Sequence, residues 1–315
     1  MCRITVITSL FNCLQYLKGY FEAVGRIQNK DEIEILLIHN APQQNELAVI
    51  RGYLPSFPFI RHIQLEEREG LYATWNRGVT ISKANYLTIW NVDDVRLPCS
   101  LRDQADSLDK NPDAAISYGD FIIVDKYGKT EGKSISEPEF DSKSRRFLCK
   151  HHIGCFPMWR KEIHEKIGYF DEQFRLIADL DFQIRVAKKY PLVKTNKQLG
   201  FYLEGTPSNL SSNSRLQDME HTVLHLRYGN FNRIYLTYLF SGLSKFELFQ
   251  IKWFGKYHSM NRWTLKDFSL YLARFPLIFI SVFKFPRHLA RKYFKKYYYE
   301  VLLGKKNGVT TTSAT

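Results

Sequence analysis

The first hundred residues alternate between short apolar runs and stretches with helical spacing. "RITVITSLF" (3–11), "EIEILLIHN" (32–40), "FIRHIQLEE" (59–67) and "NYLTIWNV" (85–92) read as strands rich in β-branched residues. Between them, "CLQYLKGYFEAVGRIQ" (13–28), "NELAVIRGYLPS" (45–56) and "LYATWNRGVTISKA" (71–84) place apolar residues where one helix face would collect them. A strand that is apolar on both faces needs cover on both sides, and strand–helix alternation supplies it. The expectation is an α/β fold: a Rossmann-like, mostly parallel central sheet with helices on both faces. In such sheets ligands bind beyond the carboxyl ends of the strands.

The fourth strand ends unusually. "YLTIWNVDDVRLP" (86–98) runs through apolar residues and then stops on adjacent carboxylates, Asp93 and Asp94. A turn would tolerate such a pair for solubility; a cation site would require it. Further on, "LRDQADSLDKNP" reads as a helix, "AAISYGDFIIVD" as two short strands around Gly119, and "RKEIHEKIGYFDEQF" as a helix that closes at Gly168. "ADLDFQIRVAKKY" (178–190) is a helix with Asp179 and Asp181 in its first turn. The polar stretch "SNLSSNS" (208–214) suggests a boundary, giving a domain over 1–215, a basic, aromatic-rich helical extension over 216–308, and a short tail over 309–315.

Composition narrows the setting. Hydrophobic residues make up 44% of the 315, ample for a core, and the five cysteines contain no C-x-x-C pair, which speaks against a disulfide framework or a cysteine zinc site. "MCRITVITSLFN" opens directly on a strand rather than a leader, and "FPLIFISVF" (275–283) is too short to span a bilayer. The net charge of +13 is concentrated: residues 251–306 hold thirteen Lys and Arg against two acids, Asp267 and Glu300. Aromatics mixed with cations suit an anionic membrane surface. A helical subdomain packed on the rest of the chain is an equal alternative, and nucleic acid is disfavoured because no recognition motif accompanies the charge.

The order "VITSLFN" (6–12), "EILLIHN" (34–40), "EREGLYATWNRGVTISKANYLTIWNVDD" (67–94) and "IGYFDEQFRLIADLDFQIRVA" (167–187) resembles the family 2 glycosyltransferases, inverting enzymes with the GT-A fold. The resemblance covers roughly residues 3–215. It implies a nucleoside-diphosphate sugar donor, a UDP-sugar first, and a glycan or lipid-linked acceptor, with Mg²⁺ or Mn²⁺ neutralising the diphosphate. It further implies work in surface polysaccharide or lipopolysaccharide assembly in the cytoplasm, and the basic, aromatic tail outside the resemblance adds a peripheral place on the inner membrane face as an expectation. "NVDD" stands for the family's D-x-D motif, with Asp94 as main metal contact, Asp93 near the metal, sugar or ribose, and Asn91 in place of the usual first acid.

By the same resemblance Asp179 is the general base and Asp181 the fallback. Thr8, Ser9, Phe11 and Asn12 line the base and ribose pocket, and His39 and Asn40 stand where an acid usually meets the uracil ring. Gly70 and Asn76 match donor-loop positions, and Arg77 suits either a phosphate or a salt bridge with Asp93. "CKHHIGCFPMWRKE" (149–162) corresponds to the acceptor side, with His152 and Trp159 as candidate contacts. The rival of another class is a nucleotide-binding or scaffold protein that keeps the fold without catalysis.

Overall fold

The computed structural model describes residues 2–205, 214–230 and 236–260. The polar boundary stretch and most of the basic segment, residues 261–306, lie outside the described residues, as does the tail.

Alternation along the first strands sorts the core into two layers. In β1 (Ile4–Leu10) and β2 (Ile33–Asn40), Ile7, Leu36 and Ile38 join one buried cluster while Val6, Ile35 and Leu37 join another. The second cluster is closed by α1 (Leu14–Arg26), α2 (Glu46–Tyr53) and later α4 (Ser100–Lys110). After β3 (Ile60–Leu65), α3 (Leu71–Ile81) covers the first cluster through Tyr72, Trp75 and Val79. Each fully buried Leu or Ile contributes about 1.5–3 kcal/mol, so the two-faced pattern itself drives the sheet inside. Gly78 lets α3 sit close on β1: a Cβ there would lie 2.7 Å from the Ile7 side chain.

β4 (Tyr86–Ile89) completes a parallel block in the order β3-β2-β1-β4. Beyond it the sheet continues through β8 (Met158–Arg160), β6 (Ile116–Val124), β9 (Leu192–Leu203) and β5 (Val95–Arg96), with β7 (Lys133–Ile135) on β6. β6 and β9 run with the parallel block; β5, β7 and β8 run against it. The sheet is therefore mostly parallel, as expected. Gly119 does not divide two strands: β6 passes through it, with its register against β9 shifted there by a bulge. The helix expected from Arg160 to Gly168 does close there, at φ +78°, but it is made of the end of β8, a 3₁₀ turn at Lys161–Ile163 and the single-turn α6 (His164–Ile167).

The remaining elements are α5 (Arg146–Cys149), α7 (Ala178–Ala187), α8 (Ser214–Tyr228), α9 (Leu236–Leu243) and the hairpin β10 (Gln250–Trp253)–β11 (Lys256–Ser259). That hairpin replaces helix at the start of the basic segment. Nor does residue 215 mark a break in packing: Val223, Leu224 and Tyr228 of α8 belong to the main core cluster.

Candidate active site

β1, β2 and β4 are adjacent and parallel, so Ser9–Asn12, His39–Asn40 and Trp90–Asp94 leave the sheet at one common edge. The acids at the end of β4 are gripped there. Asp94 is 1% exposed. Its Oδ1 accepts the Leu203 backbone N–H at 3.1 Å, from the end of β9, and its Oδ2 accepts the Asn91 amide at 3.1 Å. The Trp90 indole donates to the Asp94 carbonyl at 3.0 Å. Burial, then the neighbouring Asp93 charge, pushes Asp94 well above the usual carboxylate range against the pull of Leu203, Asn91 and Arg96. Burial raises Asp93 too. Behind them Arg96 is buried, donating to Thr88 Oγ1, the Ile89 carbonyl and Gln104 Oε1, and burial lowers it to about 9.

This donor set fits a divalent cation. Two adjacent carboxylates, Asp94 buried and Asp93 half-buried, lack full charge compensation. Mg²⁺ or Mn²⁺ is commonly held by one or two carboxylates with phosphate oxygens completing the shell. Among the described residues no group of three or more His, Cys, Asp or Glu gathers to form an all-protein cage.

Several expected donor contacts are turned inward instead. Thr8 is fully buried and shares a 2.8 Å hydrogen bond with Tyr20 beneath α1. His39 is fully buried and paired with Glu46 at 2.8 Å, while Glu46 also accepts the Cys13 backbone N–H at 2.5 Å. His39 thus fastens β2 to the loop after β1 and presents nothing to a ligand. The Asn40 amide is consumed on both sides, donating to the Glu69 carbonyl at 2.7 Å and accepting the Glu69 N–H at 2.8 Å. It anchors the turn before α3 and has no edge left for a pyrimidine. Ser9 and Phe11 stay partly exposed and Asn12 is exposed, its amide donating to Gln43 at 3.2 Å and its φ at +49°.

The W-N-R-G segment is equally structural. Trp75 packs on Tyr72 and Phe170. Asn76 is fully buried, donating to the Phe170 carbonyl and Glu172 and accepting the Phe170 N–H at 2.9 Å. Arg77 pairs with Glu69, not Asp93. Gly70, exposed, is the residue from which α3 starts, its carbonyl accepting the Thr74 N–H at 3.0 Å.

A second pole forms at the start of α7. Asp179, with 32% of its side chain exposed, accepts the Leu180 N–H at 2.8 Å and the Tyr72 hydroxyl at 3.3 Å on Oδ1. His151 Nε2 lies 3.4 Å from Oδ2. Asp181, expected as fallback base, is fully buried between Arg185 (2.7 Å), Arg227 (3.0 Å) and the Tyr228 hydroxyl (2.7 Å). It is a structural anion, because every approach to it is taken by a cation or donor. Glu220 of α8, also fully buried, accepts the Arg175 and Leu176 N–H groups at 2.7 and 2.9 Å, fixing the turn that leads to Asp179.

On the expected acceptor side, Trp159 is 1% exposed and its indole donates to His164 at 2.8 Å, so it is core and meets no acceptor. His152 turns to Glu137 at 2.8 Å. Gln183 explains the arrangement: its amide accepts the His152 and Ile153 N–H groups and donates to the Phe147 and Lys150 carbonyls, drawing that loop over α7. It is His151 that consequently reaches Asp179. Residues not foreseen from the sequence are thus Tyr72, His151, Glu220 and the Leu203 amide. Arg68 joins them, its guanidinium 3.8 Å over the Phe11 ring at the rim. Of these, Arg68 and Tyr72 sat within the 67–94 segment and His151 beside His152, whereas Glu220 and Leu203 adjoined no recognised motif.

The family described as Glycosyl transferase family 2 matches over residues 5–168. An uncharacterised glycosyltransferase of Methanocaldococcus jannaschii is 26% identical over 191 residues, 59% of this chain and 66% of that protein. The PGL/p-HBAD biosynthesis glycosyltransferase of Mycobacterium tuberculosis is 23% identical over 192 residues, covering 60% of this chain and 71% of its own. Among solved structures, TarS of S. aureus superposes with a TM-score of 0.56 at 15% identity, over 73% of this chain and 40% of that one. Its 1–349 portion in complex with UDP-GlcNAc gives 0.57 at 15% identity, over 89% and 81%. The mannosyltransferase PcManGT of Pyrobaculum calidifontis, in complex with GDP-Man and Mn²⁺, gives 0.52 at 14% identity, over 71% and 63%. The chain therefore spans just under two thirds of the archaeal relative and two fifths of TarS. These neighbours are glycosyltransferases of the GT-A fold, and the mixed sheet shares their architecture.

Proposed function

Because this chain belongs to glycosyl transferase family 2, we propose that it moves a sugar, a hexose first, from a nucleoside diphosphate to a hydroxyl of a glycan or lipid-linked acceptor, with inversion at the anomeric carbon. The observation that carries this reading is the Asp93–Asp94 pair, half-buried and buried in turn, at the shared end of β1, β2 and β4. Mg²⁺ or Mn²⁺ bound there supplies positive charge to the diphosphate leaving group. Asp94 holds the cation, with Asp93 as the more accessible second carboxylate, and Asn91 and Leu203 set the orientation of Asp94. Ser9, Phe11 and Asn12 line the nucleotide side with Gly70, and Arg68 adds a cation at its edge.

Asp179 receives the acceptor proton. Tyr72 and the Leu180 amide hold its Oδ1, leaving Oδ2 toward His151. A UDP-sugar is the favoured donor; the UDP-GlcNAc complex of TarS supports it, and the GDP-Man and Mn²⁺ complex of PcManGT supports a divalent metal. The catalytic unit extends past residue 215, since α8 supplies Glu220 and Arg227. No described helix is long and apolar enough to cross a membrane. The described start of the basic segment exposes Phe254 and Tyr257 beside Lys252 and Lys256, which supports contact with an anionic membrane surface where surface polysaccharide or lipopolysaccharide intermediates are built.

The test is calorimetric titration with UDP, GDP and dTDP, with and without Mn²⁺. Tight binding of one nucleotide that disappears with chelator is the expected result. Failure of all three to bind would favour a non-catalytic scaffold.

A further inference from the structure

Asp179 does not face its acceptor side alone. His151 Nε2 is 3.4 Å from Asp179 Oδ2, yet it is a buried atom that makes no hydrogen bond. The rest of the same imidazole is open, with 32% of the side chain exposed. One ring nitrogen is thus turned to the carboxylate while the residue as a whole reaches solvent. The loop carrying it is not loose: Gln183, one turn along α7 from Asp179, grips both sides of that loop through four hydrogen bonds. Among the described residues, the other ionisable groups acting on the carboxylate are Tyr72 on α3 and Glu220 on α8. Tyr72 donates to the other oxygen, and Glu220 is occupied with backbone N–H groups.

We infer that His151 is a positioning and proton-relaying partner of Asp179, an inference that rests on the glycosyl-transfer reading. The acceptor O–H bond breaks and its electron pair forms the new bond to the anomeric carbon. The bond from that carbon to the diphosphate oxygen breaks, its pair leaving on the diphosphate. The proton passes to the Asp179 carboxylate and on to Nε2 of His151, whose Nδ1 proton goes to water. His151 Nε2 thereby gives the acceptor proton a second place to go beyond the carboxylate, on a ring that reaches solvent. The relay needs His151 neutral at the start, which makes activity rise as the imidazole gives up its proton.

Two measurements test this, and only one depends on turnover. NMR of the His151 ring, in the wild type and in Asp179→Asn, reads the pairing directly: the ring signals should move once the carboxylate is gone. Ring signals that stay in place overturn the pairing, whatever the protein's activity. The pH profile of kcat reads the role. In His151→Gln the acid limb should move down by about one pH unit or more, with kcat falling about tenfold at neutral pH and donor KM held. In the Asp179→Asn background the same substitution should cost nothing further. An acid limb that stays in place, or full additivity of the two changes, overturns the relay. A wild type without turnover whose His151 ring signals still depend on Asp179 would fault the transfer reading and leave the pairing standing.

Discussion

The Leu203 backbone N–H lies 3.1 Å from Oδ1 of Asp94, joining the end of β9 to the end of β4. One carboxylate of the candidate cation site is therefore fixed by main chain, and changes at Asp94 can be read with little concern for side-chain drift.

Asp94→Asn keeps the shape and removes the charge. Manganese-dependent nucleotide binding should fall by at least about tenfold and turnover by about a hundredfold or more. The urea midpoint should hold or rise, since a buried anion without a paired cation is itself a cost. Because burial raises both acids, protons compete with the cation for them as pH falls. Mn²⁺ affinity in the wild type should accordingly weaken as pH falls, by about tenfold per unit for each proton displaced. Titrations at three pH values would show a flat response if the carboxylates were already free.

Asp179→Asn should leave nucleotide binding intact and lower turnover by about 10²–10⁴. Its side chain is partly exposed and, among the described residues, its one ion-pair contact is with His151, so folding should be unaffected. Calorimetry alongside a radiolabelled transfer assay separates the two effects; loss of binding in this variant would move the base elsewhere.

Asp181→Ala should behave in the opposite way. Removing it takes the carboxylate partner from Arg185 and leaves Arg227 with Asp171 alone, and breaking such a buried network costs about 3–5 kcal/mol. The expected result is a large drop in the unfolding midpoint; a folded variant with normal stability and no activity would restore Asp181 as a catalytic candidate.

Glu220 predicts a pH signature. Burial raises its folded-state pKa to about 7 from an ordinary 4.5, against the pull of the Arg175, Leu176 and Ile177 N–H groups. Between those values the native protein holds a proton that the unfolded chain releases, so stability should decline as pH rises from 4.5 to 7 and level off above. The decline is on the order of 2–4 kcal/mol. In Glu220→Gln that slope should vanish, as followed by urea unfolding across pH 4.5–8.

How far the sequence spoke depended on distance along the chain. β1 to β4 were legible because runs such as "EILLIHN" are apolar on both faces and the helices between them keep their spacing. β9 was not foreseen: the polar "TNKQ" interrupts its pattern, and its partner β6 lies some seventy residues earlier. The hairpin β10–β11 hid inside an aromatic, basic composition that carries no period. Asp94 and Asp179 stood out by type and place. What Asn76, His39 and Asn40 do was invisible, because each is defined by a group it binds elsewhere in the chain. His151 rather than His152 faces Asp179 for the same reason: Gln183 decides it.

The reach of α8 and the hairpin also governs how relatives of this chain could exchange parts. Arg227 neutralises Asp171 as well as Asp181, the Lys252 N–H binds Asp171, and Gln173 donates to the Gln250 carbonyl. A swap made at residue 205 would keep every acid of the candidate site while discarding the Arg227 counter-charge and the Glu220 carboxylate that fixes the turn leading to Asp179. Grafts that alter acceptor choice must therefore carry α8 and the hairpin as one inheritance with α7.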